Sequence, residues 1–269
     1  MMQTGQFIKF VTDSMDEHEG EILESEPIET TGFSGTMCSI DVTGYGRTSI
    51  LIQGETVTAD NVQYRSERCG LPSQLSSVKW SDFRWSYYGS NMEKSREFAV
   101  VRKFVYDYKF FMESQKGIYI YGRLPGCGKS LLLAVLANET IARHSFSVKY
   151  CTLEKLLNLV KNDEQASKEE LKAIRNCILL FMDDFGSVHS NSRWMKDQVC
   201  NLIETRQRDG HVTCYASSEP IERIKIDDTG KANDIIVSST IGIRLPDVAI
   251  RAKLATDESA EFEKRLFQG

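Results

Sequence analysis

The sequence predicts an α/β fold: a central parallel sheet covered by helices on both faces. Three observations lead to it. Short apolar runs such as Gly117–Tyr121, Ser147–Cys151 and Val212–Ala216 alternate with stretches of helical spacing, the rhythm of strand–helix–strand units. Cys177–Met182 is apolar without interruption, as in a strand buried on both faces. The glycine-rich segment Gly122–Ser130 sits between a strand and a helix, where a backbone can wrap phosphate groups.

Along the chain, residues 1–35 are rich in Glu, Ser, Thr and Gly with no sustained period, which reads as a flexible or weakly ordered arm. Alternation improves at Thr48–Ile52 and Thr56–Thr58, on either side of Gln53-Gly54-Glu55, and suggests a small hairpin. Gly70-Leu71-Pro72 then interrupts any regular element, which places a domain boundary near residue 70. The connector that follows carries Trp80, Phe83, Trp85, Tyr87 and Tyr88, a density suited to stacking on nucleobases or, more commonly, to packing on a neighbouring domain. Beyond it the pattern predicts a helix over 96–114, a strand over 117–121 and a helix over 130–144. A strand over 147–151, a helix over 152–161 capped by Thr152, and a helix over 169–176 come next. The buried strand 177–182, a helix over 194–208 stopped by Gly210, and the strand 212–216 complete the series.

The net charge of −5 hides an asymmetry. Residues 1–60 hold eleven Asp/Glu against two Lys/Arg, a balance of −9, which leaves +4 for the remainder. The two parts therefore suit different partners, and the positive part permits polyanion contact. Seven cysteines, an odd number without framework spacing, favour reduced thiols. No apolar run approaches the roughly 20 residues of a membrane span, and the N-terminus lacks the order of a secretory signal. A cytoplasmic protein without membrane contact is expected.

The chemistry concentrates in two segments. In Gly122-Arg-Leu-Pro-Gly-Cys-Gly-Lys-Ser130, Gly126 and Gly128 let the backbone approach an anion, and the positive end of the following helix faces it. Lys129 reaches the outer phosphates and Ser130 can ligate magnesium. Gly122, Pro125, Gly126, Cys127, Gly128, Lys129, Ser130 and Leu131 are the candidate nucleotide contacts. The usual pattern has glycine where Arg123 stands, with Gly122 one residue early. The second segment is Asp183-Asp184 at the end of the buried strand. Asp183 is placed to hold Mg2+ and Asp184 to orient and deprotonate an attacking water. Ser218, after the strand 212–216, is placed to touch the outer phosphate or that water, although Ser217-Ser-Glu-Pro220 also reads as an ordinary turn. The candidate catalytic set is Lys129, Asp184 and Ser218, the metal set Ser130 and Asp183, and the ligands ATP and Mg2+.

These segments, with their surroundings, resemble the DnaC/DnaI-type helicase loaders and the related IstB-type transposition helpers over roughly residues 66–245. The similarity is carried by Cys69-Gly-Leu-Pro-Ser-Gln-Leu75, Trp80-Ser-Asp-Phe83, Gly117-Ile-Tyr-Ile-Tyr-Gly122, Glu169-Glu-Leu-Lys172, Cys177–Gly186 and Asn201–Ser218. It implies an AAA+ P-loop ATPase domain over 91–245. Before it come an acidic arm and small partner-binding module over 1–70 and an aromatic connector over 71–90. A reduced lid over 246–269, opening at Leu245-Pro-Asp-Val-Ala-Ile-Arg-Ala-Lys-Leu254, follows. The implied function is loading of a replicative DNA helicase onto single-stranded DNA with ATP as a conformational switch, with self-association through the nucleotide site. A transposition helper and a nucleotide-binding adaptor with little catalysis are the alternatives.

Two departures from the family stand out. Many relatives carry a cysteine-rich zinc module before the ATPase, whereas only Cys38 and Cys69 stand in that region here, too few for a four-ligand site, so no zinc is expected. The family's arginine finger is expected between the strand 212–216 and the last strand, yet Lys231–Thr240 contains no arginine. Arg206, Arg208, Arg223 and Arg244 are the candidates left, each readable as a surface residue.

Overall fold

The computed structural model describes residues 7–11, 17–30, 33–42, 46–52, 62–144, 146–186, 193–224, 226 and 229–267. The N-terminal part is an antiparallel sheet of four strands in sequence order, β1 (Phe7–Val11), β2 (Glu17–Thr30), β3 (Phe33–Val42) and β4 (Gly46–Ile52). The expected loose arm over 1–35 is therefore largely strand. β2 and β3 pair from Gly20↔Val42 to Thr30↔Phe33, with only Thr31 and Gly32 between them, the spacing of a tight hairpin. β4 pairs with β3. The second strand expected for the hairpin, Thr56–Thr58, lies outside the described residues. β1 pairs with β2 only as far as Glu21, so Pro27 falls where β2 has β3 as its one ladder neighbour, a position at which a missing N–H is tolerated.

From Val62 the chain builds the α/β domain. Its elements are α1 (Val62–Cys69), α2 (Arg96–Tyr106), α3 (Tyr108–Glu113), β5 (Gly117–Tyr121), α4 (Lys129–Arg143), β6 (Val148–Thr152), α5 (Leu153–Lys161) and α6 (Gln165–Asn176). β7 (Leu179–Asp183), α7 (Arg193–Arg208), β8 (Val212–Ser217), α8 (Lys231–Ser239), β9 (Thr240–Arg244) and α9 (Ile250–Phe267) complete it. The five strands are parallel in the order β6-β7-β8-β5-β9, so the expected parallel sheet is present. The expected helix over 96–114 is two helices. Ser95 caps the first by accepting from Phe98 N at 3.1 Å, and Asp107, at φ −137° and ψ 53°, ends it. Thr152 caps α5 as expected, accepting from Lys155 N at 3.1 Å.

Strand alternation distributes the core over both faces. Ile118, Ile120, Leu179, Phe181, Val212 and Cys214 pack with α2, α3 and α4 on one side, while Tyr119, Leu180, Met182 and Tyr215 pack with α5, α6, α7 and α8 on the other. α4 is buried without a break from Leu132 to Ala137, and each large apolar side chain placed there contributes about 1.5–3 kcal/mol. Cys69, Phe83 and Trp85 belong to the first core. The connector aromatics thus pack on the α/β domain, and α1 joins that packing before residue 70. Burial pushes the Cys69 thiol up to about 12 and that of Cys151 up to about 11, so both stay protonated and inert. Among the described residues no helix is long and apolar enough to cross a membrane.

Candidate nucleotide-binding site

The site forms where β5, β8 and β7 end side by side. β5 leads through Gly122 into a loop in which Gly126 and Gly128 adopt φ of 76° and 93°, a region side chains rarely enter. A Cβ on Gly128 would lie 2.4 Å from Ile250 Cδ1 and 2.8 Å from the Tyr88 hydroxyl. Glycine there permits both the turn and the close packing of α9 and the connector on the loop. The first helical bond of α4 runs from Leu132 N to Gly128 O at 2.8 Å, so the N–H groups of Lys129, Ser130 and Leu131 precede it at the positive helix end, where an anion is favoured. Lys129 Nζ donates to Gly122 O at 2.9 Å and Leu124 O at 3.5 Å, placing its charge over the loop. Arg123 and Pro125 are exposed; the arginine in place of the usual glycine points away from the packed interior. Cys127 is fully buried and offers only backbone to a ligand, with its carbonyl accepting from the Tyr88 hydroxyl.

Across the sheet, Asp183 closes β7 and is 5% exposed. Its Oδ1 accepts from Ser130 Oγ at 3.1 Å and from Asp184 N at 2.9 Å, and its Oδ2 accepts from the Tyr150 hydroxyl at 2.7 Å. A hydroxyl and a carboxylate this close suit a hard cation that takes its remaining oxygens from phosphate and water, as Mg2+ does. Among the described residues no cluster of three or more His, Cys, Asp or Glu side chains is placed to hold a metal by itself. Asp184 has φ 50°. Burial and the neighbouring Asp183 raise its pKa above the ordinary carboxylate range, against the opposing pull of Lys129 and Arg251.

The segment 118–239 matches the family model described as ATPase family associated with various cellular activities. Its fold is that of the AAA+ P-loop ATPases, as the sequence implied. The crystal structure of DnaI superposes with a TM-score of 0.55 at 21% identity, over 66% of this chain and 95% of that one. A proposed primosome component from Streptococcus pyogenes serotype M3 superposes with the same TM-score at 24% identity, over 68% of this chain and 94% of its own. The resemblance to DnaC/DnaI-type proteins read from the sequence is thus matched in fold. No curated protein sequence matches the chain.

Within the AAA+ domain the structure brings Gly122, Gly126, Gly128, Lys129 and Ser130 together with Asp183 and Asp184, and Leu131 packs at the edge of the core behind them. Ser217 is buried, its carbonyl accepting from Gly122 N at 3.3 Å and its Oγ from Glu219 N at 3.2 Å. Ser218, the next residue, is exposed beyond the strand end.

Arg206 requires correction as a finger candidate. It is 1% exposed, and its guanidinium donates to Ile174 O, Arg175 O, Cys177 O, Val212 O and Thr213 Oγ1 between 2.7 and 3.0 Å. No donor of such a group can leave to reach a neighbouring subunit. Arg208, Arg223 and Arg244 are exposed and lie in ion pairs with Asp209, Glu219 and Asp247, contacts too weak to immobilise them.

Sequence reasoning missed Arg251. It lies in the first turn of α9, its N donates to Gly126 O at 3.0 Å, and its charge acts on Asp184. The available signal was a cation one residue into the helix that follows the last strand. Tyr88 was missed as a loop contact because it comes from the connector.

Proposed function

We propose that this protein is an ATP-dependent loader of a replicative DNA helicase onto single-stranded DNA, with ATP acting as a conformational switch. The observation that carries the reading is a glycine loop at positive φ that sets Lys129 and Ser130 beside Asp183, in a fold shared with DnaI over 95% of the DnaI chain. The acidic N-terminal sheet, distinct in composition and architecture, is the part we assign to the helicase. Single-stranded DNA and further copies of the chain meet the AAA+ domain, and the cell compartment is the cytoplasm.

In this reading the loop N–H groups and Lys129 bind the phosphates, and Ser130 with Asp183 holds Mg2+. A Mg2+ ion held by Ser130 and Asp183 would supply positive charge to offset the negative charge of the phosphates. Asp184 orients a water and takes its proton; a carboxylate raised above its ordinary range is a better base than an unperturbed one. Arg251 supplies positive charge beside it. Asp184 is one methylene shorter than the glutamate usual in AAA+ proteins, and α8 (Lys231–Ser239) contains no arginine. Binding without rapid turnover follows, because a finger contributed by a neighbour is worth roughly a thousandfold or more in rate.

Deleting residues 1–61, which keeps α1 in the core, is the direct test of the loader assignment. Co-purification with the replicative helicase should be lost while ATP affinity remains. Normal helicase binding by the truncated chain would overturn the role of the N-terminal sheet.

Asp184→Asn separates stability from chemistry. Because the folded-state pKa of Asp184 is raised, its ionised form disfavours the fold, and that cost grows as pH rises through the folded pKa. Asparagine cannot ionise and tolerates φ 50° well. The variant should melt higher than the parent at pH 7, lose that advantage below about pH 3.9 where both side chains are neutral, keep ATP affinity and lose turnover. Thermal melts across pH, paired with phosphate release, check all four.

A further inference from the structure

The Asp183 carboxylate is held from both sides, and one of its partners has no place in the phosphate loop. Tyr150 lies on β6, where the register sets Tyr150 against Phe181 and Thr152 against Asp183. Tyr150 and Asp183 therefore project from the same face of the sheet, two residues out of step, and a phenol is long enough to cover that diagonal. The ring is 1% exposed within the core cluster that includes Leu132, Leu133 and Phe181, so the hydroxyl has little freedom to turn elsewhere. It donates to Asp183 Oδ2 at 2.7 Å, while Ser130 Oγ and Asp184 N meet Oδ1 at 3.1 and 2.9 Å.

We infer that Tyr150 is a positioning residue for magnesium: by donating to Oδ2 it fixes the plane of the Asp183 carboxylate and keeps Oδ1 on the Ser130 side, where the cation or its water would take the place of the Ser130 donor. The inference rests on the ATP and magnesium reading of this site. Partners that orient a ligating group are commonly worth tenfold to a hundredfold in metal affinity, without touching the metal themselves.

The experiment is a titration of the full-length chain with a fluorescent ATP analogue over a series of Mg2+ concentrations, with EDTA as the metal-free point. For Tyr150→Phe, the half-saturating Mg2+ concentration should rise about tenfold or more, while affinity in EDTA stays at the parent value. A merely structural role would not separate these two quantities. In an Asp183→Asn background, Tyr150→Phe should add no further change, since its effect passes through that carboxylate. A folded Tyr150→Phe chain with the parent's Mg2+ dependence, or one whose loss adds fully to that of Asp183→Asn, overturns the inference. A parent chain without any Mg2+-dependent binding overturns the underlying nucleotide reading instead, which keeps the two failures distinct. Should Tyr150→Phe not fold, a 13C label at Cζ of Tyr150 in the unaltered chain decides the matter. Its resonance should move when Mg2+ is added to the ATP-saturated protein, and a stationary resonance overturns the inference.

Discussion

Lys129→Ala is expected to reduce ATP affinity by about a hundredfold with little loss of fold stability. A hydrogen bond to a charged group is worth about 1.5–3 kcal/mol, and in the proposed reading the ammonium meets the outer phosphates as a charge as well as a donor. Each 1.4 kcal/mol is tenfold in binding, so a loss near 3 kcal/mol corresponds to that factor. The stability cost is small because Lys129 and its hydrogen bonds to Gly122 O and Leu124 O are only partly buried. Isothermal titration with Mg-ATP measures the first quantity and a thermal melt the second. Unchanged affinity would remove the phosphate loop from the account.

The largest stability effect is expected at Arg206. Alanine there removes the guanidinium donors from the carbonyls of Ile174, Arg175, Cys177 and Val212, of which Ile174 O keeps the weak Cys177 thiol donor. Two of these carbonyls lie in the last turn of α6, whose C-terminal oxygens have no helical partner and carry the negative end of the helix dipole. Removing one side of a buried charged network costs about 3–5 kcal/mol, and the vacated volume adds to it. For a chain of this size that corresponds to a melting-temperature drop on the order of 10 °C. Lysine should rescue only partly, because it lacks the planar fork that reaches several acceptors at once. Normal melting with lost turnover would restore Arg206 to the nucleotide chemistry.

The parts legible in the sequence are those whose chemistry restricts residue type. Wrapping a phosphate requires backbone at positive φ, so Gly126 and Gly128 announce the loop. A strand buried on both faces is apolar throughout, so Cys177–Met182 announces the sheet and the carboxylates at its end. The N-terminal sheet was hidden because β2 is acidic along its length: Glu17, Glu19 and Glu21 alternate, then Glu24 and Glu26 after a register shift, where apolar side chains would mark a strand; the Thr31-Gly32 break was the signal available. The interruption at Asp107 was hidden because the apolar spacing continues through it. Arg206 and Tyr150 act on groups brought close only by packing, backbone carbonyls in one case and a carboxylate on the next strand in the other. Neither kind of partner leaves a pattern at fixed sequence distance.

Steady-state phosphate release by the purified chain, with Mg-ATP binding measured in the same samples, decides whether this site is an ATP switch. One nucleotide should bind per chain, with turnover well below the roughly 10 s−1 typical of enzymes. Asp184→Asn should remove this turnover while leaving binding intact. Failure to bind Mg-ATP, or brisk turnover by the isolated chain that survives Asp184→Asn, would contradict that role.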